Sequence, residues 1–136
     1  MTAPRILIVE DERVVALNLQ QRLIKLGYEV VGRAASGEQA LALAEQGKPD
    51  IVLMDIHIEG DMDGIDTAAQ LLTRHQLQVI YLTAYSEDTT LERAKATQPY
   101  GYLLKPFSER ELHATLQMAL ERRSLDMALA ESEERA

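Results

Sequence analysis

Short apolar runs alternate with stretches of helical period along this chain. Residues 5–10 (RILIVE) are almost wholly apolar and rich in branched side chains, the pattern of a strand covered on both faces. From Glu12 to Leu26 apolar residues recur at Val15, Leu19, Leu23 and Leu26, a helical spacing, and Gly27 stands where a helix stops. Residues 28–34 (YEVVGRA) predict a second strand. Ser36 offers an N-cap to a helix with a small face of Ala40, Leu41 and Ala44, ending at Gly47. After the Lys48-Pro49 break, residues 50–55 (DIVLMD) are the most strand-like run in the chain.

Residues 56–63 (IHIEGDMD) predict a loop rich in acid and glycine. Ile65, Ala68, Ala69 and Leu72 restore a helical period up to about Arg74, and residues 78–82 (QVIYL) predict a fourth strand. Ser86 is placed to cap a weaker helix running to about Ala96. Residues 100–104 (YGYLL) give a fifth strand, and Ser108 caps a last helix through Leu112, Leu116 and Leu120. Five strands alternating with five helices predict an α/β fold, a doubly wound parallel sheet with right-handed crossovers and helices on both faces.

In such a sheet, ligands bind outside the carboxyl ends of the strands. The first strand delivers Glu10, Asp11 and Glu12 to that edge, the third Asp55, the fourth Thr83 and the fifth Lys105. Clustered carboxylates repel one another, and a hard cation with oxygen ligands relieves them. Magnesium takes one or two protein carboxylates together with waters and phosphate oxygens. Asp11 and Asp55 can supply those carboxylates, with Glu10 acting directly or through water. A lysine and a threonine beside that metal suit a transferring phosphoryl group, whose equatorial oxygens need positive charge and a hydrogen-bond donor. The nucleophile is then a carboxylate that accepts phosphate as an acyl phosphate. Asp55, which ends the central strand, is the best placed.

Composition narrows the classes. The chain has 136 residues, a one-domain length, with 46% hydrophobic and 26% charged residues, as in ordinary globular proteins. With no Cys it has no disulfide framework, thiol catalysis or Cys-based zinc site. Fourteen Lys+Arg against 22 Asp+Glu, a net charge of −8, argue against a nucleic-acid surface. No apolar run is long enough for a membrane span, and the start, MTAPRILIVEDE, lacks a signal-peptide pattern, so the expectation is a cytoplasmic protein.

Five segments, ILIVEDE (6–12), PDIVLMDI (49–56), MDGI (62–65), YLTAY (81–85) and GYLLKPF (101–107), occur in order and at the right spacing to resemble the receiver domain of a two-component response regulator. The resemblance covers residues 5 to about 122. It implies a flavodoxin-like sheet of order 2-1-3-4-5, with Asp55 as phosphoacceptor and Glu10 and Asp11 in the pocket that holds Mg2+. It also implies the His57 carbonyl as a further metal ligand, Thr83 and Lys105 on the phosphoryl oxygens, Tyr102 as the aromatic that turns inward on activation, and a cis Lys105–Pro106 bond. The phosphodonor would be a histidine kinase or a histidine phosphotransfer protein. The chain would be a phosphoacceptor switch rather than an enzyme, although a longer parent protein would be one if it were a histidine kinase or diguanylate cyclase. Two features depart from the family: Glu10 stands where Asp is more frequent, and the loop after Asp55 is one residue longer, with Glu59 where Pro is frequent.

Plainer readings stand beside these. Glu10-Asp11-Glu12 alone suits a solvated helix start, Thr83 a loop cap, Lys105 a surface charge and Tyr102 the core. Glu59, Asp61, Asp63 and Gly64 mimic the first half of a calcium loop, but Gln70 occupies its twelfth position and no helix precedes it. Asp50, Asp55, Glu59, Asp61, Asp63 and Asp66 stand without Lys or Arg between Lys48 and Arg74, a locally negative rim. His57, His75 and His113 share no ligand spacing, and by the resemblance the His57 side chain lies near the phosphoryl group. Two other functions use the same topology. A small aspartyl-phosphate phosphohydrolase often needs an acid two residues past the nucleophile, where this chain has His57. A flavodoxin-like FMN carrier needs a phosphate-cradling loop after the first strand, where this chain has acids.

From Ser108 to Ala136 no Gly or Pro breaks the last helix. The expected division is a receiver over 1–122 and a helical extension or linker over 123–136, towards a downstream domain. Met118, Leu125, Leu129 and Ser132 lie near one stripe. A frayed, solvated helix end and a signalling helix that pairs with its copy in a homodimer both fit it. The string ALAESEERA resembles the opening of many PAS sensory domains, which suggests the N-terminal receiver piece of a longer signalling protein.

Overall fold

The computed structural model describes residues 3–84 and 88–135. Its elements, in chain order, are β1 (Arg5–Val9), α1 (Arg13–Lys25), β2 (Glu29–Ala34), α2 (Gly37–Gly47) and β3 (Ile51–Asp55), then α3 (Gly64–His75), β4 (Val79–Thr83), α4 (Asp88–Lys95), β5 (Gly101–Leu104) and α5 (Glu109–Arg135). The strands form one parallel sheet of order β2-β1-β3-β4-β5. The doubly wound, flavodoxin-like fold expected from the sequence is the fold observed.

Strand residues alternate between two cores, as the two-residue period of a strand requires. Leu7, Val9, Val52, Met54, Val79 and Tyr81 pack under α2, α3 and α4, while Ile6, Ile8, Ile51, Leu53, Ile80 and Leu82 pack under α1 and α5. Every residue of β3 is buried, because this central strand is covered on both faces and paired on both edges. Its carboxyl end therefore presents a side chain from backbone that is covered on both faces and paired on both edges.

Two helix faces differ from the expected ones. In α1 the buried residues are Ala16, Leu19 and Leu23, whereas Val15 is 36% exposed. The inward face is centred between Leu19 and Leu23, and Ala16 lies closer to that line than Val15 does. In α3 the buried face is Gly64, Ile65, Thr67, Ala68 and Leu71, while Ala69 is exposed and Leu72 only partly buried. Gly64 and Thr67 carry no hydrophobic signal. They are inside because α3 packs against α2, where the Thr67 hydroxyl lies against Gly37 and donates to the Asp63 carbonyl at 2.8 Å. β4 begins one residue later than expected and includes Thr83. The expected cap at Ser86 lies outside the described residues.

The caps are local. The Ser36 hydroxyl accepts from the Gln39 amide, Asp63 and Asp66 form a reciprocal capping box on α3, and Ser108 and Glu111 do the same for α5. The long loop after β3 is tied to the β2–α2 connection by an isolated parallel bridge between Ser36 and Glu59. The last helix continues unbroken to Arg135.

Candidate phosphoacceptor site

β1 and β3 are adjacent and parallel, so their carboxyl ends place Glu10, Asp11 and Asp55 together. One carboxylate oxygen from each lies within 4.8 Å of the other two. Glu10 is 3% and Asp55 9% exposed. From the far side of β4, the Lys105 ammonium reaches Asp55 Oδ2 at 2.9 Å and Glu10 Oε1 at 3.2 Å. Asp55 Oδ1 accepts the His57 backbone N–H at 3.0 Å. Lys105 precedes a cis Lys105–Pro106 bond, and its own N–H donates to the Thr83 carbonyl at 2.8 Å.

The protons in this cluster are divided unequally. Burial, with the adjacent Asp55 carboxylate, pushes Glu10 up to about 8. Asp55 is displaced the other way: burial works to raise it, but Glu10, Lys105 and the His57 N–H together favour its ionised form and hold it below the ordinary carboxylate range. Lys105 is raised although burial opposes its charge, because Asp55 and Glu10 face it. The pair behaves as one proton shared between two acids, with Asp55 the anion and Glu10 the acid. An ionised, oriented Asp55 has the state a nucleophile requires.

Glu10 Oε2 is buried and has no hydrogen-bond partner among the described residues. A buried polar oxygen without a partner is costly, and three convergent acids suit a hard divalent cation. The acids therefore fit the metal that the sequence predicts.

Thr83 ends β4 one residue beyond Leu82, the register partner of Asp55, and is 8% exposed. Tyr102 lies opposite Tyr81 in the β4–β5 ladder, with ring centroids 5.9 Å apart and planes 28° from parallel. Tyr81 is buried and bonded to the Thr97 hydroxyl at 2.7 Å, whereas Tyr102 is 38% exposed. The His57 side chain is exposed, and its backbone N–H is what engages Asp55. The structure thus gathers Glu10, Asp11, Asp55 and Lys105 directly and places Thr83 on the same edge. Tyr102 lies along the neighbouring strand.

Several residues have supporting roles that the sequence reading did not assign. Gly64 donates its N–H to the Ile56 carbonyl at 2.7 Å, and a Cβ there would lie 2.0 Å from the Asp55 carbonyl oxygen. The glycine of the MDGI segment is therefore needed for the loop to close against the backbone of Asp55. Asp63, part of the calcium-like pattern, caps α3 and accepts from the Arg93 guanidinium at 3.0 Å, so it is engaged in structure. Arg22 lies over the Phe107 ring and donates to the Phe107 carbonyl at 2.9 Å, bracing the segment after Lys105. No local pattern signals Arg22 or Arg93, whose partners lie far away in sequence.

Among solved structures, the chain resembles the signal receiver domain of a modulated diguanylate cyclase from Desulfovibrio desulfuricans, with TM-score 0.86 and 40% identity over 91% of this chain and 98% of that one. It also resembles the N-terminal domain of a response regulator/sensory box/GGDEF 3-domain protein from Carboxydothermus hydrogenoformans, with TM-score 0.80 and 35% identity over 90% of this chain and 98% of that one. In sequence it is 39% identical to the transcriptional regulatory protein PdtaR of Mycobacterium tuberculosis over 118 residues, 87% of this chain and 57% of PdtaR. The chain thus spans little more than half the length of that relative. No helix among the described residues is long and apolar enough to cross a membrane. Residues 6–117 match the family described as the response regulator receiver domain, and with the acid cluster, Asp55 and Lys105 on one sheet edge, the chain belongs to that family.

Proposed function

We propose that this chain is a phosphorylation-controlled switch in which Asp55 takes a phosphoryl group from a histidine kinase or histidine phosphotransfer protein. The observation that carries this reading is the placing of Asp55: buried at the end of the central strand and held by Lys105 at 2.9 Å beside two further acids. An Asp55 carboxylate oxygen attacks phosphorus, the P–N bond to the donor imidazole breaks, and the imidazole leaves with the electron pair and takes up a proton. When bound, Mg2+ is held by Glu10, Asp11, Asp55 and the His57 carbonyl and offsets negative charge on the phosphoryl oxygens. Lys105 and the Thr83 hydroxyl contact those oxygens.

The switch follows from Thr83. Drawing its hydroxyl towards phosphate vacates space at the end of β4, which Tyr102 fills by rotating inward from its half-exposed position beside Tyr81. A phosphoryl group biases only an element that contacts it differently in two states, and the change at β4 remodels the surface made by α4, β5 and α5. We take residues 1–122 as the receiver and 123–136 as an extension towards a downstream domain. Met118, Leu125 and Leu129, all well exposed, are the face through which two copies pair. As a phosphoacceptor the chain assists its own phosphorylation and dephosphorylation and turns over no separate substrate.

The test is labelling by acetyl phosphate with Mg2+, followed by mapping of the modified residue. Wild type should carry one label at Asp55, and Asp55→Asn should carry none. Labelling of Asp55→Asn at the wild-type rate overturns the assignment. Light scattering with and without beryllofluoride, on residues 1–136 and on a chain ending at Arg122, reads the pairing. An unchanged association state in the longer chain removes that part of the reading.

A further inference from the structure

We propose that the α5 extension is clamped to the body through Tyr100, so that the helix leaves the domain as a rigid lever whose setting follows β5. Three contacts converge within about one helical turn. The Arg122 guanidinium lies 5.0 Å above the centre of the Tyr100 ring, and the Tyr100 hydroxyl donates to Asp126 Oδ2. Arg123 Nη2 lies 3.5 Å from Asp50 Oδ1.

The receiving side of this clamp is itself fixed. The Asp50 N–H donates to the Arg5 carbonyl at 2.7 Å and its Oδ2 accepts the Arg5 N–H at 2.8 Å, which ties it to the start of β1. The Tyr100 N–H donates to the Val79 carbonyl at 2.9 Å, at the start of β4. The clamp therefore fastens α5 to the amino-terminal edge of the sheet, the end opposite Asp55. Burial, then the bond to Asp126, pushes the Tyr100 phenol up to about 12, so it remains a donor at ordinary pH.

Apolar packing does not replace these contacts. A cavity of about 490 Å³ opens between helix and body, lined by Met127 and Ala130 on one side and by Ala44, Pro49 and Leu77 on the other. Isolated surface ion pairs contribute little, but here the Tyr100 ring, its hydroxyl and the Asp50 carboxylate share one partner helix, and such networks hold better than their separate pairs. β5 is only four residues long, Gly101–Leu104, and it joins Tyr100 directly to Tyr102 and Lys105. A displacement of β5 at the acceptor end is thereby carried to the residue that grips the extension. The lever's response to phosphorylation rests on the function proposed above, whereas the clamp does not.

The chain has no cysteine, so spin labels can be placed at Gln46→Cys and Glu131→Cys and their separation measured by electron–electron double resonance. The unmodified clamp should give one narrow distance distribution. Tyr100→Phe and Asp126→Ala should each broaden it, and the double variant should broaden it no further, because both remove the same bond. Amide exchange in residues 124–132 should accelerate about tenfold in either variant. Glu121→Gln, which removes a charge from α5 without touching the clamp, should change neither. A distribution already broad in the unmodified protein, or unmoved by both clamp substitutions, overturns the proposal. Adding beryllofluoride separates the two readings: a Tyr102 signal that shifts while the label distance stays fixed defeats the lever. No response at Tyr102 defeats the phosphoryl reading and leaves the clamp to the variants.

Discussion

Lys105 bridges Asp55 and Glu10, with its ammonium 2.9 Å from one carboxylate and 3.2 Å from the other. It reaches them across β4 from the end of β5, so the same ion contacts that hold Asp55 ready also tie β5 to the acceptor. In the function proposed above, a phosphoryl group on Asp55 would replace the carboxylate as the partner of Lys105, which would make this contact the first to change on modification.

Lys105→Ala should separate the two roles of the site. Mg2+ affinity, measured by calorimetry, should stay within about threefold of wild type, because the lysine is not a ligand. The rate of labelling by acetyl phosphate should fall by about 10²–10³, the usual cost of removing one donor aimed at developing charge. Equal losses in both measurements would show that the lysine only maintains the fold.

Mg2+ binding should depend on pH through Glu10. With its carboxyl pushed up to about 8, Glu10 is protonated at neutral pH and must release that proton when the cation binds. Calorimetry in buffers of different ionisation enthalpy should find close to one proton released at pH 7 and almost none above pH ~9. Glu10→Gln should abolish this release and lower affinity less than Asp11→Asn, since replacing Glu10 also removes the cost of its deprotonation. Equal losses in the two variants would sink the ranking.

Without metal, stability should peak in mildly acidic solution. The raised Glu10 contributes stability that is fully present below the ordinary carboxylate range and lost as pH rises through about 8. The lowered Asp55 contributes with the opposite sign: its share is present above the ordinary range and lost as pH falls through its depressed value. Thermal melts of metal-free protein from pH 3 to 9 should trace this dome. Glu10→Gln should raise Tm at pH 8 by on the order of 5 °C. A wild-type profile that is flat between pH 5 and 8 would contradict the assigned proton.

Gly64→Ala should damage the acceptor loop. Its Cβ would meet the Asp55 carbonyl oxygen at 2.0 Å, and backbone on both sides leaves no flexible end to yield. Overpacking of this kind costs about 1–3 kcal/mol or more, readable as a lower urea midpoint at unchanged slope. Gly27, whose positive φ of 97° ends α1 but where a Cβ meets nothing within 4 Å, should accept Ala at smaller cost.

The order of elements and the strand-end chemistry are readable from the residues alone. Strands buried on both faces advertise themselves as apolar runs, and a polar residue at the end of such a run has only the sheet edge to occupy. That is why Glu10, Asp55, Thr83 and Lys105 were legible, and why five motifs in register identified the family. Helix faces were less legible: Thr67 and Gly64 lie inside α3 because a neighbouring helix leaves room for them, and no residue's own hydropathy reports that. The wide division of protons between Glu10 and Asp55 was likewise set by folding, since two acids 45 positions apart differ only slightly until burial and Lys105 drive them apart. The grip of Tyr100 and Asp50 on the last helix, with Asp50 held in turn by the Arg5 backbone, joins residues from β1 to α5. Charged side chains there read as solvated in any local window, and only the meeting of distant chain segments gives them partners.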